Sequence, residues 1–108
     1  MLKKILFAIL VAQSILMAHD GGINSTITSL ISYNQYGNGD VVIFTKEKTS
    51  ACSSGYWITK NDIGFSGNLS MLLSAYQTKS KILIYGLPDN MWKASSGKYC
   101  KLYQITLK

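Results

Sequence analysis

The sequence predicts a mainly β protein with one helix, an α+β domain, and three observations carry that expectation. Residues 23–34 and 98–108 alternate along the chain, the period of a strand with one buried face. Leu69, Leu72, Leu73 and Tyr76 stand at i, i+3, i+4 and i+7, one stripe of a 3.6-residue helix. Gly37, Asn38 and Gly39 tolerate positive φ, and they mark a hairpin between the first alternating segment and the apolar run that follows.

The first 18 residues read as a signal peptide. Lys3 and Lys4 form a basic start, residues 5–11 and 15–17 an apolar stretch, and Ala18 a small residue before cleavage. A membrane anchor is the competing reading. Against it, Gln13 and Ser14 interrupt the run, which falls short of the roughly 20 apolar residues a span needs. The expectation is export, to the periplasm or beyond, with residues 19–108 as a single domain and no membrane span after cleavage.

That domain carries nine lysines, five acids and no arginine, a net charge of +4. Arginine is the side chain that grips phosphate and guanine in two-point contacts, so its absence together with export argues against a nucleic-acid partner. The scattered lysines read as a solvated surface with a weak attraction for anionic sugars or head groups. Cys52 and Cys100 are the only cysteines. In an oxidising compartment they make one disulfide, closing a loop of about 49 residues worth about 4 kcal/mol in the chain-entropy model. The alternative is a metal site, but zinc takes four ligands and His19 is the only histidine. No metal or other cofactor is expected.

In chain order, residues 19–22 read as a loose terminus. Residues 23–34 form the first strand, 41–45 the second, apolar enough for burial on both faces, and 56–59 a short third strand. Asn61, Asp62 and Ser66 are helix-starting residues, and the helix spans about 67–78, ended by Lys79 and Ser80. Residues 81–85 form the fourth strand, 86–97 a long polar loop holding the only proline and Trp92, and 98–108 the fifth strand. Three strands, a helix and two more strands is the layout of a five-stranded OB-fold-like Greek-key barrel, in which the helix plugs one end.

Spread across residues 25–88, the chain resembles the B subunits of AB5 toxins of the subtilase-cytotoxin and typhoid-toxin kind, and related small exported bacterial proteins. The likeness lies in the order and spacing of the alternating first strand with its glycine hairpin, Ala51-Cys52, the Trp57 region, Leu72-Leu73-x-Ala75-Tyr76, and residues 81–85 with Pro88 beyond. The resemblance implies a non-catalytic module that binds a cell-surface glycan, a homo-pentamer whose helices line a pore, and a toxin A subunit as partner. It further implies a serine near the start of the first strand and a tyrosine at the end of the strand after the helix that hold a sialylated glycan, for which Ser25 and Tyr85 are the nearest candidates. One departure is plain: those subunits carry a cysteine in the second strand, where this chain has Val41-Val42-Ile43-Phe44.

Tyrosine and tryptophan serve equally as half-buried barrel residues and as faces for sugar rings. Tyr33, Trp57, Tyr76 and Tyr103 suit the structural role, whereas Trp92, standing in a long polar loop, is a third glycan-binding candidate. No catalytic constellation is visible. Asp20, Asp40, Glu47, Asp62 and Asp89 lie in turns and loops without close pairing in sequence, and His19 is the only base for the many serines. Asp40 reads as a turn residue and Asp62 as a helix-start residue. The sequence thus points to a secreted binding module for carbohydrate, or else to a small periplasmic structural or protein-interaction module with no small ligand.

Overall fold

The computed structural model describes residues 19–108; the stretch read as a signal peptide lies outside them. The domain is mainly β with one helix. Its elements are β1 (Ile23–Ser25), β2 (Ile27–Ser32), β3 (Val41–Thr45), β4 (Gly55–Ile58), α1 (Phe65–Thr78), β5 (Ile82–Met91) and β6 (Tyr99–Leu107). They build one six-stranded sheet in the order β1-β5-β6-β4-β3-β2. All pairings are antiparallel except β4 with β6.

Six strands stand where five were expected, because the predicted first strand changes partner midway. Its start pairs with β5, Ile23 opposite Ile84 and Ser25 opposite Ile82. Its continuation pairs with β3, Ile27 opposite Thr45 and Ser32 opposite Val41. Thr26 alone separates the two, so the outermost strands of the sheet are neighbours in the chain. The β2–β3 register slips between Ile27 and Ser29, leaving Thr28 as an extra residue. Such a bulge turns the following side chains to the opposite face. Ile27 points into the core, and beyond the bulge it is Leu30, of the other parity, that packs there.

The predicted polar loop 86–97 is also corrected, since β5 continues through Gly86 and Pro88 to Met91. Its pairing with β6 is irregular between Leu87 and Met91, and proline is tolerated within a sheet at such a break because no ladder bond is demanded of it. Gly86 lies against the disulfide between Cys52 and Cys100, whose Cα atoms are 5.3 Å apart. Both cysteines are buried, which fits an oxidising compartment. Tyr56, Ile43, Ile58, Leu72, Ile82 and Ile84 surround them as the core. On the other face of β3, Val42 is buried opposite its pair partner Trp57.

The helix starts two residues before the expected position, at Phe65, and Asn61, Asp62 and Ser66 do not cap it; Gly64 stands at its N-terminus without a side-chain bond. Lys79, in the left-handed conformation, ends it as expected. Its buried stripe is narrower than the spacing implied. Leu72 and Ala75 are buried and Phe65, Leu69 and Met71 flank them, while Leu73 and Tyr76 are 45% and 41% exposed. Residues 19–22, read as a loose terminus, are tied down at Asp20. Its N–H donates to the Gly86 carbonyl at 3.0 Å. Its carboxylate accepts from the Gly86 N–H at 2.8 Å and from the Thr49 hydroxyl at 3.0 Å.

Candidate functional site

The three sugar-binding candidates do not form one site. Ser25 is 3% exposed. Its Oγ accepts from the Glu47 N–H at 2.7 Å and donates to the Thr26 carbonyl at 3.3 Å. These bonds hold the break between β1 and β2 against the turn after β3, leaving the hydroxyl committed to the fold. Tyr85 is half-buried on β5, three residues along that strand from Ser25's partner Ile82, and its ring lies perpendicular to that of His19 with centroids 5.3 Å apart. Trp92 lies seven residues further on. It was expected exposed in a loop, yet it is 5% exposed because three tyrosines enclose it. Tyr33 is tilted against it at 6.0 Å, and Tyr36 and Tyr99 meet it edge-on at 5.9 Å and 5.5 Å.

Trp92 does line a cleft of about 380 Å³, together with Trp57 and with residues from three stretches of chain. The first is the hairpin turn. Gly37, Asn38 and Gly39 all take positive φ, reversing the chain so that the Tyr33 N–H donates to the Asp40 carbonyl at 3.2 Å. A side chain at Gly37 would strike the indole, since a Cβ there would lie 2.6 Å from Trp92 Cζ2. The turn is therefore pressed onto Trp92, and the Tyr36 hydroxyl, donating to the Ala94 carbonyl, fastens it from the other side. The turn buries Asp40, whose Oδ2 accepts from Trp92 Nε1 at 2.9 Å. Its Oδ1 has no hydrogen-bond partner among the described residues. Read from sequence as a plain turn residue, Asp40 is instead the buried acid of the cleft.

The second stretch is the end of β4 and the turn beyond it. Trp57 Nε1 donates to the Asn90 carbonyl at 3.0 Å, which joins β4 to the end of β5. Lys101 places its ammonium 4.0 Å from the Trp57 ring centroid and 2.7 Å from Asp62 Oδ1. The other Asp62 oxygen accepts from the Thr59 N–H at 2.9 Å, which shapes the turn that carries Asn61 into the cleft. The third stretch, residues 90–94, adds Asn90 and Lys93 at the rim, both exposed. The cleft thus combines two indole rings with exposed amides at Asn38, Asn61 and Asn90. An apolar lining with a few convergent polar groups is the composition of a small-molecule site. Sequence reasoning assigned Trp57 a structural role and passed over Asp40 and the three asparagines. Only the pairing of β4 with β3 and β6 brings them together, although the positive-φ run before Asp40 was a local signal of a tight turn.

A second groove, of about 580 Å³, lies between the β1–β2 junction and the end of α1, lined by Thr26, Ile27, Thr28, Tyr76, Gln77 and Lys79. It has no tryptophan and no buried charge, and the cleft at Trp57 and Trp92 is the better candidate on chemistry.

Comparison with protein-family models, with curated proteins and with solved structures finds no match for this chain.

Proposed function

We propose that this chain is an exported, non-catalytic binding module that recognises glycans, and that the sugar sits in the cleft of Trp57 and Trp92. The observation that carries this reading is the composition of that cleft. The half-buried Trp57 indole offers apolar surface to the C–H side of a pyranose, the buried Trp92 stands behind it as part of the lining, and the exposed amides of Asn38, Asn61 and Asn90 match its hydroxyls. The proposal moves the ligand away from Ser25, whose hydroxyl is already bonded twice within the fold, and from Tyr85, which packs beside His19.

The likeness to AB5 toxin B subunits belongs to the same proposal. If β1 and β2 are counted as one bent strand, its two halves pair with opposite ends of the sheet, as in a closed five-stranded OB-fold-like Greek-key barrel. In this reading the exposed Leu73 and Tyr76 of α1 pack against other copies in a homo-pentamer that carries a toxin A subunit.

The test is a glycan array probed with the protein spanning residues 19–108, followed by titration of the best ligand. Trp57→Ala is expected to weaken binding at least about tenfold, about 1.4 kcal/mol. An array on which nothing binds would sink the reading. The exposed apolar pair on α1 also supports a second one, a small periplasmic protein-interaction module without a small ligand. Light scattering separates the cases: a self-associating protein that loses its oligomer on Leu73→Glu, and binds no glycan, belongs to that second class.

A further inference from the structure

Residues 19–22 lie across the disulfide. Gly22 takes positive φ, and a Cβ there would lie 2.6 Å from the Tyr85 ring, so the chain bends past that ring to reach Gly86 with Asp20. Asp20 then holds the Gly86 backbone by two bonds, its N–H donating to the Gly86 carbonyl at 3.0 Å and its Oδ1 accepting from the Gly86 N–H at 2.8 Å. Its Oδ2 accepts from the Thr49 hydroxyl at 3.0 Å and stands 3.5 Å from Cys52 Sγ. Thr49 Oγ1 in turn accepts from the Cys52 N–H at 3.1 Å. His19 anchors the start, its ring stacked on Tyr103.

The backbone that Asp20 holds is the segment pressed on the bridge, since a Cβ at Gly86 would meet Cys52 Sγ and Cys100 Cβ at 2.8 Å. Both cysteines are fully buried beneath it. Yet the β5–β6 register slips between Tyr85 and Gly86. A ladder is locally disrupted at such a slip, and the bonds from Asp20 hold Gly86 down where the ladder is weakest. Those bonds lie near the surface, with His19 exposed and Asp20 half-buried. A chain-end segment held by a few such contacts opens locally, at a free energy well below that of global unfolding. None of these residues lines the cleft of Trp57 and Trp92.

We propose that residues 19–22 are a strap that gates the disulfide: docked, it keeps thiols away from Cys52 and Cys100, and lifted, it frees the Gly86 backbone and admits them. The gated reaction is thiol–disulfide exchange. A thiolate of an external dithiol attacks one sulfur of the bridge, the S–S bond breaks as a mixed disulfide forms, and the other cysteine leaves as its thiolate. The second thiol of the reagent then displaces the first cysteine, so that the protein gains two thiols and the reagent becomes a cyclic disulfide.

The experiment times the reduction of the protein spanning residues 19–108 by dithiothreitol, with alkylation and mass spectrometry as the readout, at a series of urea concentrations below the unfolding transition. Lifting a strap exposes little surface, so the rate for the unaltered protein is expected to change little with urea. Asp20→Ala removes the carboxylate bonds to Gly86 and Thr49 and is expected to speed reduction at least about tenfold, with the same shallow dependence on urea. His19→Ala leaves those bonds in place and removes only the ring anchor, for an expected gain of about threefold. A rate that climbs in the unaltered protein along the full slope of global unfolding overturns the proposal, because the bridge then opens only when the whole domain does. An unchanged rate in a folded Asp20→Ala protein overturns it as well. The urea series on the unaltered protein and the His19→Ala rate decide the matter even if Asp20→Ala fails to fold.

Discussion

Gly86 is the residue at which the β5 backbone crosses the disulfide. A Cβ there would lie 2.8 Å from both Cys52 Sγ and Cys100 Cβ, and 2.9 Å from Tyr56 Cε1. None of these is the free end of a flexible chain, so the neighbours give way only at a cost. Gly86→Ala should lower stability by about 1–3 kcal/mol, read as a fall in the urea midpoint at constant slope. Tyr56, beside it, answers to pH. Burial first, and the Asp20 carboxylate second, push its phenol up to about 12 from an ordinary 10.0. An unfolded chain gives up that proton near pH 10 while the folded one keeps it, so the stabilisation is complete below pH 10 and is lost as pH rises toward 12. The loss is about 2–3 kcal/mol. Urea titrations at pH 9 and pH 12 should show it, and Tyr56→Phe should lose that component of the slope. Such roles are hard to read along a sequence. Gly86 looked like the start of a loop and Trp92 like an exposed loop tryptophan, because burial by residues from other strands and turns leaves no local trace.

At the scale of elements, periodicity located the helix and most strands, and failed where a partner interrupts it. The helix spacing placed Leu72 and Leu73 on one stripe, but α1 sits on the sheet so that Leu72 is fully buried and Leu73 half out. Leu72→Ala should cost about 2–5 kcal/mol and Leu73→Ala less than about 1 kcal/mol, a contrast that thermal or urea unfolding measures directly. In β6 the expected alternation holds through Cys100 and Leu102 and then slips, with Ile105 the next buried residue. The cause is in the ladder: Tyr85 faces Gln104 and Gly86 faces Leu102, so Tyr103 has no opposite number and is pushed outward. There it stacks on the His19 ring at 4.8 Å, within 10° of parallel. The predicted first strand broke for a similar reason. An alternating pattern reports which face is buried, not which strand lies alongside.

For the whole molecule, the disulfide expected from two lone cysteines is present, and it ties the turn before β4 to the start of β6. Reducing it, or replacing both cysteines with alanine, should remove about 4 kcal/mol by the chain-entropy account, seen as a lower unfolding midpoint in the presence of reductant. Mean composition and the order of elements were enough for the fold class. The cleft was not legible, because its tryptophans and asparagines come from stretches that meet only in the finished sheet. The position of β6 carries a consequence for how that sheet is made. Of the strands described, β6 is translated last, yet it lies between β5 and β4 and is bonded to both. Until it emerges, β1 with β5 and β2 with β3 and β4 are two fragments of the sheet, joined by Thr26 and by the chain through α1, each with an open side. Contacts of such long sequence separation form slowly. Closure of the sheet therefore waits for its last strand, and a chain cut short before residue 99 lacks the strand that joins the two halves of the sheet.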